Sequence, residues 1–397
     1  MICWIELKIN LISLNPKSIY SVMNYSMFVF FVLMLLSFNN QLSVAVPGIS
    51  AGKTTLTLLG DASRLSGGDR ETPQKPVEGI LRQSEQQWIT FEPEREFSNG
   101  RHIVLISGDD EYRSEEALPM LAKILTTHHG FKTTVLFPID PETGEIKPDH
   151  QTNIPGMENL ESADLMVLFT RFRELPDEQM VHFDNYLKAG KPIVALRTST
   201  HAFNYERNPD SPFAHYHFRS NKKGWEGGFG RKILGETWIN HHGEHGSEGT
   251  RGLIDGIRQR ENHPVLRGVE NIWGPTDVYG VTRFDKEVDV LVWGQSTWGM
   301  TQDSPVNLDK SIMPVAWTTH YQGEEDQTGR VFTTTMGSSV DLVNEGLRRL
   351  LVNACYWALG MENELPQRSN VSLVDEYNPT MFGFGTYRTG LFPQDYQ

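Results

Sequence analysis

The chain has 397 residues, of which 38% are hydrophobic, and its formal net charge is −14 at pH 7. This length and apolar content suffice for a hydrophobic core in one large domain or in two ordinary ones. The acidic balance and the absence of any Lys/Arg cluster in the sequence argue against the basic surface that nucleic acids require, so no nucleic-acid partner is predicted.

The N-terminal part of the chain has the pattern of a signal peptide. Residues 27–38, MFVFFVLMLLSF, are too short to span a membrane comfortably but have the length of a signal-peptide apolar core. Ser-Val-Ala at 43–45 follows as a small-x-small cleavage site. We predict a signal peptide over residues 1–45, export to the periplasm or the exterior, and no membrane span after cleavage. A buried N-terminal helix or an uncleaved anchor is the alternative interpretation.

Regular structure is predicted from residue 101 onward, because residues 46–99 are rich in Gly, Ser, Pro, Gln and charge without a sustained period. Apolar runs then alternate with segments of helical spacing. Strands are predicted at 102–107, 133–137, 164–170, 192–196, 288–293, 315–319 and 330–335, and helices at 115–129, 176–189 and 341–359. This alternation favours a doubly wound, mainly parallel sheet with right-handed crossovers. Whether the last three strands run parallel or antiparallel is left open.

Polar and reactive side chains follow several of the predicted strands. The strand at 192–196 is a nearly continuous apolar run, which is typical of a parallel strand covered on both faces. Ligands of open α/β sheets bind beyond the carboxyl ends of such strands, so we expect a site there. The residues placed at this edge are Asp109, Asp110, Glu111, Tyr112, Arg113, Arg171, Arg173, Arg197, Thr198, Ser199 and His201.

His201 is the first candidate for acid/base chemistry near neutral pH, with Glu111 or Asp110 as the carboxylate that orients it. We predict His242 as its partner, which requires both imidazoles to project into one pocket together with residues 109–113. The alternative for His201 is a residue that only caps a helix N-terminus.

Three arginines at the same edge have two equally weighted interpretations. Arg171, Arg173 and Arg197 either grip an anionic or polyhydroxylated ligand through multidentate contacts, or they form a structural ion-pair network with the carboxylates of residues 109–111.

A Gly-rich segment at 221–252 contains His241, His242 and His245 and is too long for a passive connection. Imidazoles suit zinc, iron or nickel, so a metal at these three histidines is one interpretation. The glycines argue against a helix that would align them, and no HExxH order is present. We therefore favour a hydrogen-bonding wall for a sugar and predict no cofactor.

Several separated stretches resemble the ThuA-like (trehalose utilisation) proteins of the class I glutamine amidotransferase-like superfamily. They include RTSTHAF at 197–203, NHPV at 262–265, DVY at 277–279 and PVAWT at 314–318. The resemblance implies a flavodoxin-like, doubly wound, mainly parallel α/β sheet with long loop insertions and a C-terminal tail. It also adds Asp277 and Tyr279 to the candidate site. The domains that follow are a signal peptide at 1–45, a linker or arm at 46–99, a ThuA-like domain at 100–362 and a C-terminal extension at 363–397.

The sequence departs from the family at two positions. Family members commonly carry Gly-Leu-His-Ser where this chain has ALRT at 195–198, and Gly-His where it has Gly337-Ser338. The cysteine nucleophile of the amidotransferases is also missing, since neither Arg197 nor Thr198 forms a thiolate. The chain is therefore not expected to be a glutamine amidotransferase.

The sequence hypothesis is an exported ThuA-like enzyme that acts on a carbohydrate or keto-sugar derivative by acid/base chemistry, through hydrolysis or isomerisation. The alternative is a non-catalytic sugar-binding module on a degenerate amidotransferase-like scaffold. The expected partner is a small sugar-like molecule, and no oligomeric state is predicted. The predicted catalytic residues are His201, His242, Glu111 and Asp110. The predicted substrate-binding residues are Asp109, Tyr112, Arg113, Arg171, Arg173, Arg197, Thr198, Ser199, His245, Asp277 and Tyr279.

Overall fold

A ten-stranded mixed sheet runs through the computed structural model, which describes residues 86–253, 262–324 and 326–397. The strands are β1 (Trp88–Phe91), β2 (His102–Gly108), β3 (Lys132–Leu136), β4 (Leu165–Thr170), β5 (Ile193–Leu196), β6 (Thr250–Gly252), β7 (Trp273–Gly274), β8 (Asp289–Ser296), β9 (Met313–Gln322) and β10 (Thr328–Thr334). Their order across the sheet is β1-β3-β2-β4-β5-β10-β9-β8-β6-β7.

The middle of the sheet is parallel, as the sequence predicts. Strands β3, β2, β4, β5 and β10 all run in the same direction, with Val167 opposite Val194 and Val194 opposite Phe332. Every residue of β2, β4 and β5 is buried, because these strands are covered on both faces. Their carboxyl ends therefore meet at one edge.

Both outer parts of the sheet are antiparallel, which answers the question that the sequence left open. Strand β9 pairs antiparallel with β10, and β8, β6 and β7 continue in the same way. On the other side, β1 pairs antiparallel with β3. Strand β1 lies inside the segment predicted to be a linker or arm; a strand of four residues is too short for its periodicity to stand out in sequence.

Among the described residues, three α-helices cover the two faces of the sheet: α1 (Ser114–His129), α2 (Asp177–Lys188) and α3 (Glu345–Ala358). Apolar residues of α1 and α3 share one core with Val194 and Leu196, whereas α2 shares the other core with Ile193 and Ala195. Alternate side chains of β5 therefore contribute to the two cores on opposite faces of the sheet.

The predicted closing helix at 341–359 begins later than expected. Residues Asp341–Val343 form a separate 3-10 turn, and the extended Asn344 then caps α3 by accepting a hydrogen bond from Leu347 N at 2.9 Å. A side-chain cap of this kind fixes the start of a helix, since it satisfies an otherwise free backbone N–H.

The C-terminal extension at 363–397 has one short 3-10 helix, Pro393–Tyr396, and packs first against α3 and then against α1 and the loop before it. Thr380 donates from its backbone N to Glu116 Oε2 at 2.7 Å, and Arg113 Nη2 donates to Gly383 O at 2.8 Å. The predicted signal peptide lies outside the described residues. Within the described part of the chain, the helices are too short or too polar to cross a membrane.

Glu115, in the first turn of α1, provides a test of this packing. Its side chain is buried, and burial raises its pKa from 4.5 to about 8. The folded protein therefore holds a proton that the unfolded chain releases above pH 4.5, and stability falls as the pH rises from there through 8. We expect Glu115→Gln to match the wild type in thermal unfolding at pH 4.5 and to become progressively more stable than it toward pH 9, by up to a few kcal/mol.

The matched control is Glu158→Gln, which changes an exposed glutamate. A stability difference for Glu115→Gln that does not vary with pH would contradict the buried, protonated state.

Candidate functional site

The end of β5 is a strained elbow occupied by Arg197. Its backbone φ is 42°, a left-handed value that non-glycine residues rarely adopt, and the 3-10 helix Arg197–His201 starts there. Arg113 and Phe172, in the loops after β2 and β4, also have positive φ values of 61° and 51°. Backbone strain is thus concentrated at the carboxyl edge of the parallel strands.

The guanidinium of Arg197 is completely buried below this edge, and both of its Nη atoms donate hydrogen bonds. Arg197 Nη2 donates to Asp277 Oδ1 at 2.9 Å, and Nη1 donates to the backbone oxygens of Asp277 and Thr335, each at 2.7 Å. The rings of Tyr112 and Tyr279 lie over it, with centroids 4.4 and 4.0 Å away. Arg197 therefore lies beneath the site in an ion pair with Asp277, a partner outside the carboxylates of residues 109–111 that the sequence analysis considered.

Asp277 connects this support to two histidines of the Gly-rich segment. Its Oδ2 lies 2.7 Å from His241 Nδ1, and its Oδ1 lies 3.3 Å from His245 Nδ1. Burial by itself would raise the pKa of Asp277, but Arg197 and the two histidines lower it overall. Asp277 is thus an ionised carboxylate that fixes both imidazoles.

The close approach of these loops depends on Gly243. A Cβ atom at this position would lie 2.9 Å from Asp277 Cβ. The backbone N–H groups of His242 and Gly243 both donate to Val278 O, at 2.8 and 2.9 Å. The loop that carries His241, His242 and His245, here termed the histidine loop, is therefore held directly against the Asp277 segment. This contact orients the histidine side chains.

His245 extends the network to Glu111. Its Nε2 lies 3.1 Å from Glu111 Oε1, so the imidazole bridges Asp277 and Glu111. The hydrogen bond to Asp277 raises the pKa of His245 in spite of partial burial. Burial, followed by the nearby Asp109, raises the pKa of Glu111. The two groups form an ion pair when His245 is protonated and Glu111 is ionised.

Asp109 shapes the loop that presents Glu111. Its Oδ1 accepts from Glu111 N at 2.7 Å and from Tyr112 N, and its Oδ2 accepts from the hydroxyl of Thr198. Asp109 is fully buried. Asp109 and Thr198 therefore hold the loop after β2 to the elbow and do not reach the ligand space.

His201 lies across from the Glu111–His245 pair and is surrounded by aromatic side chains. Its ring centroid is 5.0 Å from that of Phe172 and 5.4 Å from that of Trp238. Burial, followed by the cationic Arg171 and Arg197, lowers the pKa of His201 well below its usual value. His201 is consequently a neutral imidazole at neutral pH, able to donate or accept a hydrogen bond.

A cavity of about 190 Å³ opens between these groups. Its polar lining consists of Glu111, Arg171, His201, His241 and His245. Its aromatic lining consists of Phe172, Trp238, Tyr279 and Phe384. Pockets for drug-sized ligands occupy about 300–1,000 Å³, so this cavity suits a smaller molecule, of the order of one ring.

The expectation that His242 shares a pocket with His201 is not met. His242 Nε2 lies 2.8 Å from Ser311 O, and its side chain does not line the cavity. Adjacent side chains on an extended loop point in opposite directions, so His241 faces the cavity where His242 was expected.

Several other predicted site residues have supporting positions. Asp110 pairs with Arg171 Nη1 at 2.9 Å, and Arg173 is buried and donates to the backbone oxygens of Arg171, His150 and Pro148. Ser199 donates from its hydroxyl to Leu168 O at 2.8 Å. Arg113 is bound by the C-terminal extension, and Tyr112 lies under the elbow. None of these five side chains belongs to the cavity lining.

Three aromatic residues of the lining were not among the predicted site residues. Phe172 follows directly on Arg171, and Trp238 precedes the histidines, but neither carries a sequence signal that separates it from a core aromatic. Phe384 belongs to the C-terminal extension, where the Gly-Phe-Gly pattern at 383–385 is the only indication of an unusual backbone.

The network also has the composition of a metal site. His241, His245 and Asp277 each offer a ligand atom, and these atoms all lie within 4.8 Å of one another. Two histidines and a carboxylate suit several divalent metals. Arg197 compensates the charge of Asp277 at 2.9 Å, and both imidazoles lie within hydrogen-bond distance of the Asp277 carboxylate. The histidines brought together are His241 and His245, without the His242 of the sequence prediction.

Comparison with known structures gives weak likenesses. A putative ThuA-like protein from Parabacteroides merdae ATCC 43184 is 17% identical, with a TM-score of 0.40 over 75% of this chain and 99% of that chain. A putative ThuA-like protein from Bacteroides uniformis ATCC 8492 is 15% identical, with a TM-score of 0.39 over 65% of this chain and 90% of that chain. The glutaminase domain of Trypanosoma brucei CTPS, solved with bound acivicin, is 9% identical, with a TM-score of 0.31 over 68% of this chain and 98% of that chain. Likenesses this distant say nothing about activity.

A comparison with curated proteins found no relative. The family comparison, by contrast, is unambiguous: the model of the ThuA family, described as trehalose utilisation, matches residues 103–358. This match covers all of the parallel sheet after its first residue, the elbow and the histidine loop, and extends over well more than half of the sequence. The chain belongs to the ThuA family.

Proposed function

We propose that this protein is an exported enzyme that acts on a carbohydrate or keto-sugar derivative by acid/base chemistry. The observation that carries the proposal is the Glu111–His245 pair, 3.1 Å apart, at the wall of a cavity with aromatic surfaces. Membership in a family described by trehalose utilisation supports a sugar as the ligand. The export part rests on residues 1–45, outside the described residues, and N-terminal sequencing of the mature protein from cell fractions tests it.

The pair has the properties that proton transfer requires. Burial raises the pKa of the Glu111 carboxyl toward neutral pH, and the hydrogen bond to Asp277 raises the pKa of the His245 imidazole, so that His245 keeps its proton to a higher pH. Glu111 would accept a proton from a C–H group next to the carbonyl of a keto-sugar or, in hydrolysis, from the attacking water. His245 would donate a proton to the carbonyl oxygen or, in hydrolysis, to the oxygen of the leaving group. Both isomerisation of a keto-sugar and cleavage of a glycosidic bond use these two steps.

The other polar groups of the cavity have binding roles in this proposal. The neutral His201 would hydrogen-bond a hydroxyl or carbonyl oxygen of the ligand without adding charge. Arg171, which Asp110 holds at 2.9 Å, would stabilise negative charge that develops on such an oxygen. The alternative, a sugar-binding module without turnover, uses the same cavity and the same aromatic faces.

A ligand screen followed by product analysis separates the two functions. Thermal shifts are measured with glucose, trehalose and their keto derivatives, and stabilising compounds are then incubated with the enzyme in D₂O. Exchange of a C–H next to a carbonyl, or release of a product, seen by proton NMR, is the expected result. Stabilisation without exchange or product would identify the binding module, and no stabilisation by any of these sugars would contradict both.

The Glu111 and His245 side chains should be essential for turnover but not for folding. We expect Glu111→Gln and His245→Gln each to lower kcat by roughly 10²–10⁴, because each removes a proton-transfer group. Steady-state kinetics on the compound from the screen measures this, with thermal unfolding as the check on folding.

Matched controls come from the same loop. His242→Gln changes the neighbouring histidine that contacts Ser311 O, and Glu244→Gln changes an exposed glutamate. Both should retain wild-type kcat. A large loss in His242→Gln with full activity in His245→Gln would reverse our assignment.

The pH dependence of turnover follows from the same pair. Proton transfer requires Glu111 ionised and His245 protonated, so kcat/KM should be bell-shaped. The raised pKa of Glu111 places the acid limb above 4.5, and the raised pKa of His245 places the alkaline limb above 6.5. The residual activity of His245→Gln should lose the alkaline limb, and an alkaline limb that survives unchanged would assign it to another group.

A further inference from the structure

The C-terminal extension contains a segment at 377–386, here termed the strap, that is fastened beside the cavity. Tyr377 OH donates to Ser339 O at 2.8 Å, and Thr380 Oγ1 bonds to Glu116 Oε1 at 2.8 Å. Farther along, Gly383 accepts from the buried Arg113 at 2.8 Å and donates from its backbone N to Glu111 O at 2.9 Å. The strap is thus bonded to the same residue whose carboxylate faces the cavity.

The fastened part of the strap presents two aromatic rings in different directions. Phe382 faces inward, with its centroid 5.4 Å from that of Tyr112 and 5.5 Å from that of His245. Phe384 lies over the Arg171 guanidinium at 4.8 Å, on a side chain that is 56% exposed. Positive φ values at Gly383 and Gly385, 145° and 65°, produce the bends that turn Phe384 toward the cavity.

Phe384 completes a layered wall. The Arg171 guanidinium has the Phe172 ring at 4.5 Å and the Phe384 ring at 4.8 Å, and all three residues line the cavity. Phe172 and Arg171 follow β4, whereas Phe384 comes from the far end of the chain. The exposed face of the Phe384 ring is therefore open to contact with a ligand in the cavity.

We propose that Phe384 forms the outer wall of the cavity, where it stacks on the face of a sugar ring and limits the site to one ring. The stacking part rests on the proposed function, whereas the wall itself does not. The cavity of about 190 Å³ holds one ring because Phe384 closes its outer side. Removal of the ring would open the cavity to solvent and to longer ligands, with less contact for a single sugar.

The first experiment measures access without any sugar. His201 lies deep in the cavity at 3% exposure, and its neutral imidazole is the form that reacts with diethyl pyrocarbonate. The rate of His201 modification, followed by peptide mass mapping, should increase several-fold in Phe384→Ala. Met381→Ala is the control, since Met381 is on the same strap and 55% exposed but does not line the cavity. An unchanged rate of His201 modification in Phe384→Ala, or an equal increase in Met381→Ala, would contradict the proposal that Phe384 forms the outer wall.

The second experiment measures selectivity with glucose and trehalose as probes. In Phe384→Ala, glucose should bind about tenfold more weakly, the loss expected for one stacked ring, while trehalose should lose less or gain. Phe384→Tyr should restore both affinities and the slow His201 modification. Equal losses for both sugars would overturn the one-ring limit. If neither sugar binds any variant while His201 still becomes accessible in Phe384→Ala, the result contradicts the proposed sugar function and the one-ring limit. It would still support Phe384 as the outer wall of the cavity.

Discussion

The buried ion pair of Arg197 and Asp277 is the interaction on which the rest of the site depends. It joins the end of β5 to a loop about eighty residues later and lies between the rings of Tyr112 and Tyr279. A charge buried this deeply is tolerated only when it is paired and hydrogen-bonded, and loss of one partner typically costs about 3–5 kcal/mol. The oxygens of Asp277 then hold both histidines, so the support and the acid/base pair are one continuous network.

In this arrangement the strained residue, Arg197, is not one of the groups proposed to transfer protons. In the amidotransferases that the sequence resembles, the corresponding strand end supplies a cysteine nucleophile. Here the elbow keeps its positive φ, but its side chain points inward as a structural cation. In the proposed function, the proton-transfer groups come instead from the loop after β2 and from the loop that carries His241 and His245.

The parts of the fold with long apolar runs or clear helical spacing were predictable from the sequence. The apolar runs of β2, β4 and β5 and the helical spacing of α1 and α2 gave the parallel core, and strand polarity then placed Glu111, Arg171 and His201 at one edge. The short strands β1, β6 and β7 have too few residues to show the alternation of apolar and polar side chains that marks a strand in sequence. The choice among His241, His242 and His245 depends on backbone bonds to Val278 O, which no local pattern encodes. Phe384 reaches the cavity only through tertiary contacts.

The strap also sets the order in which the site can be completed. Arg113 and its partner Gly383 are 270 residues apart, so the ribosome makes the Glu111 loop long before the segment that covers it. While synthesis proceeds, Tyr112 lacks the Phe382 ring and the buried Arg113 lacks the strap oxygens that it binds in the folded protein. The Glu111 loop therefore lacks these contacts until the strap has been synthesised, and the cavity lacks Phe384 until then.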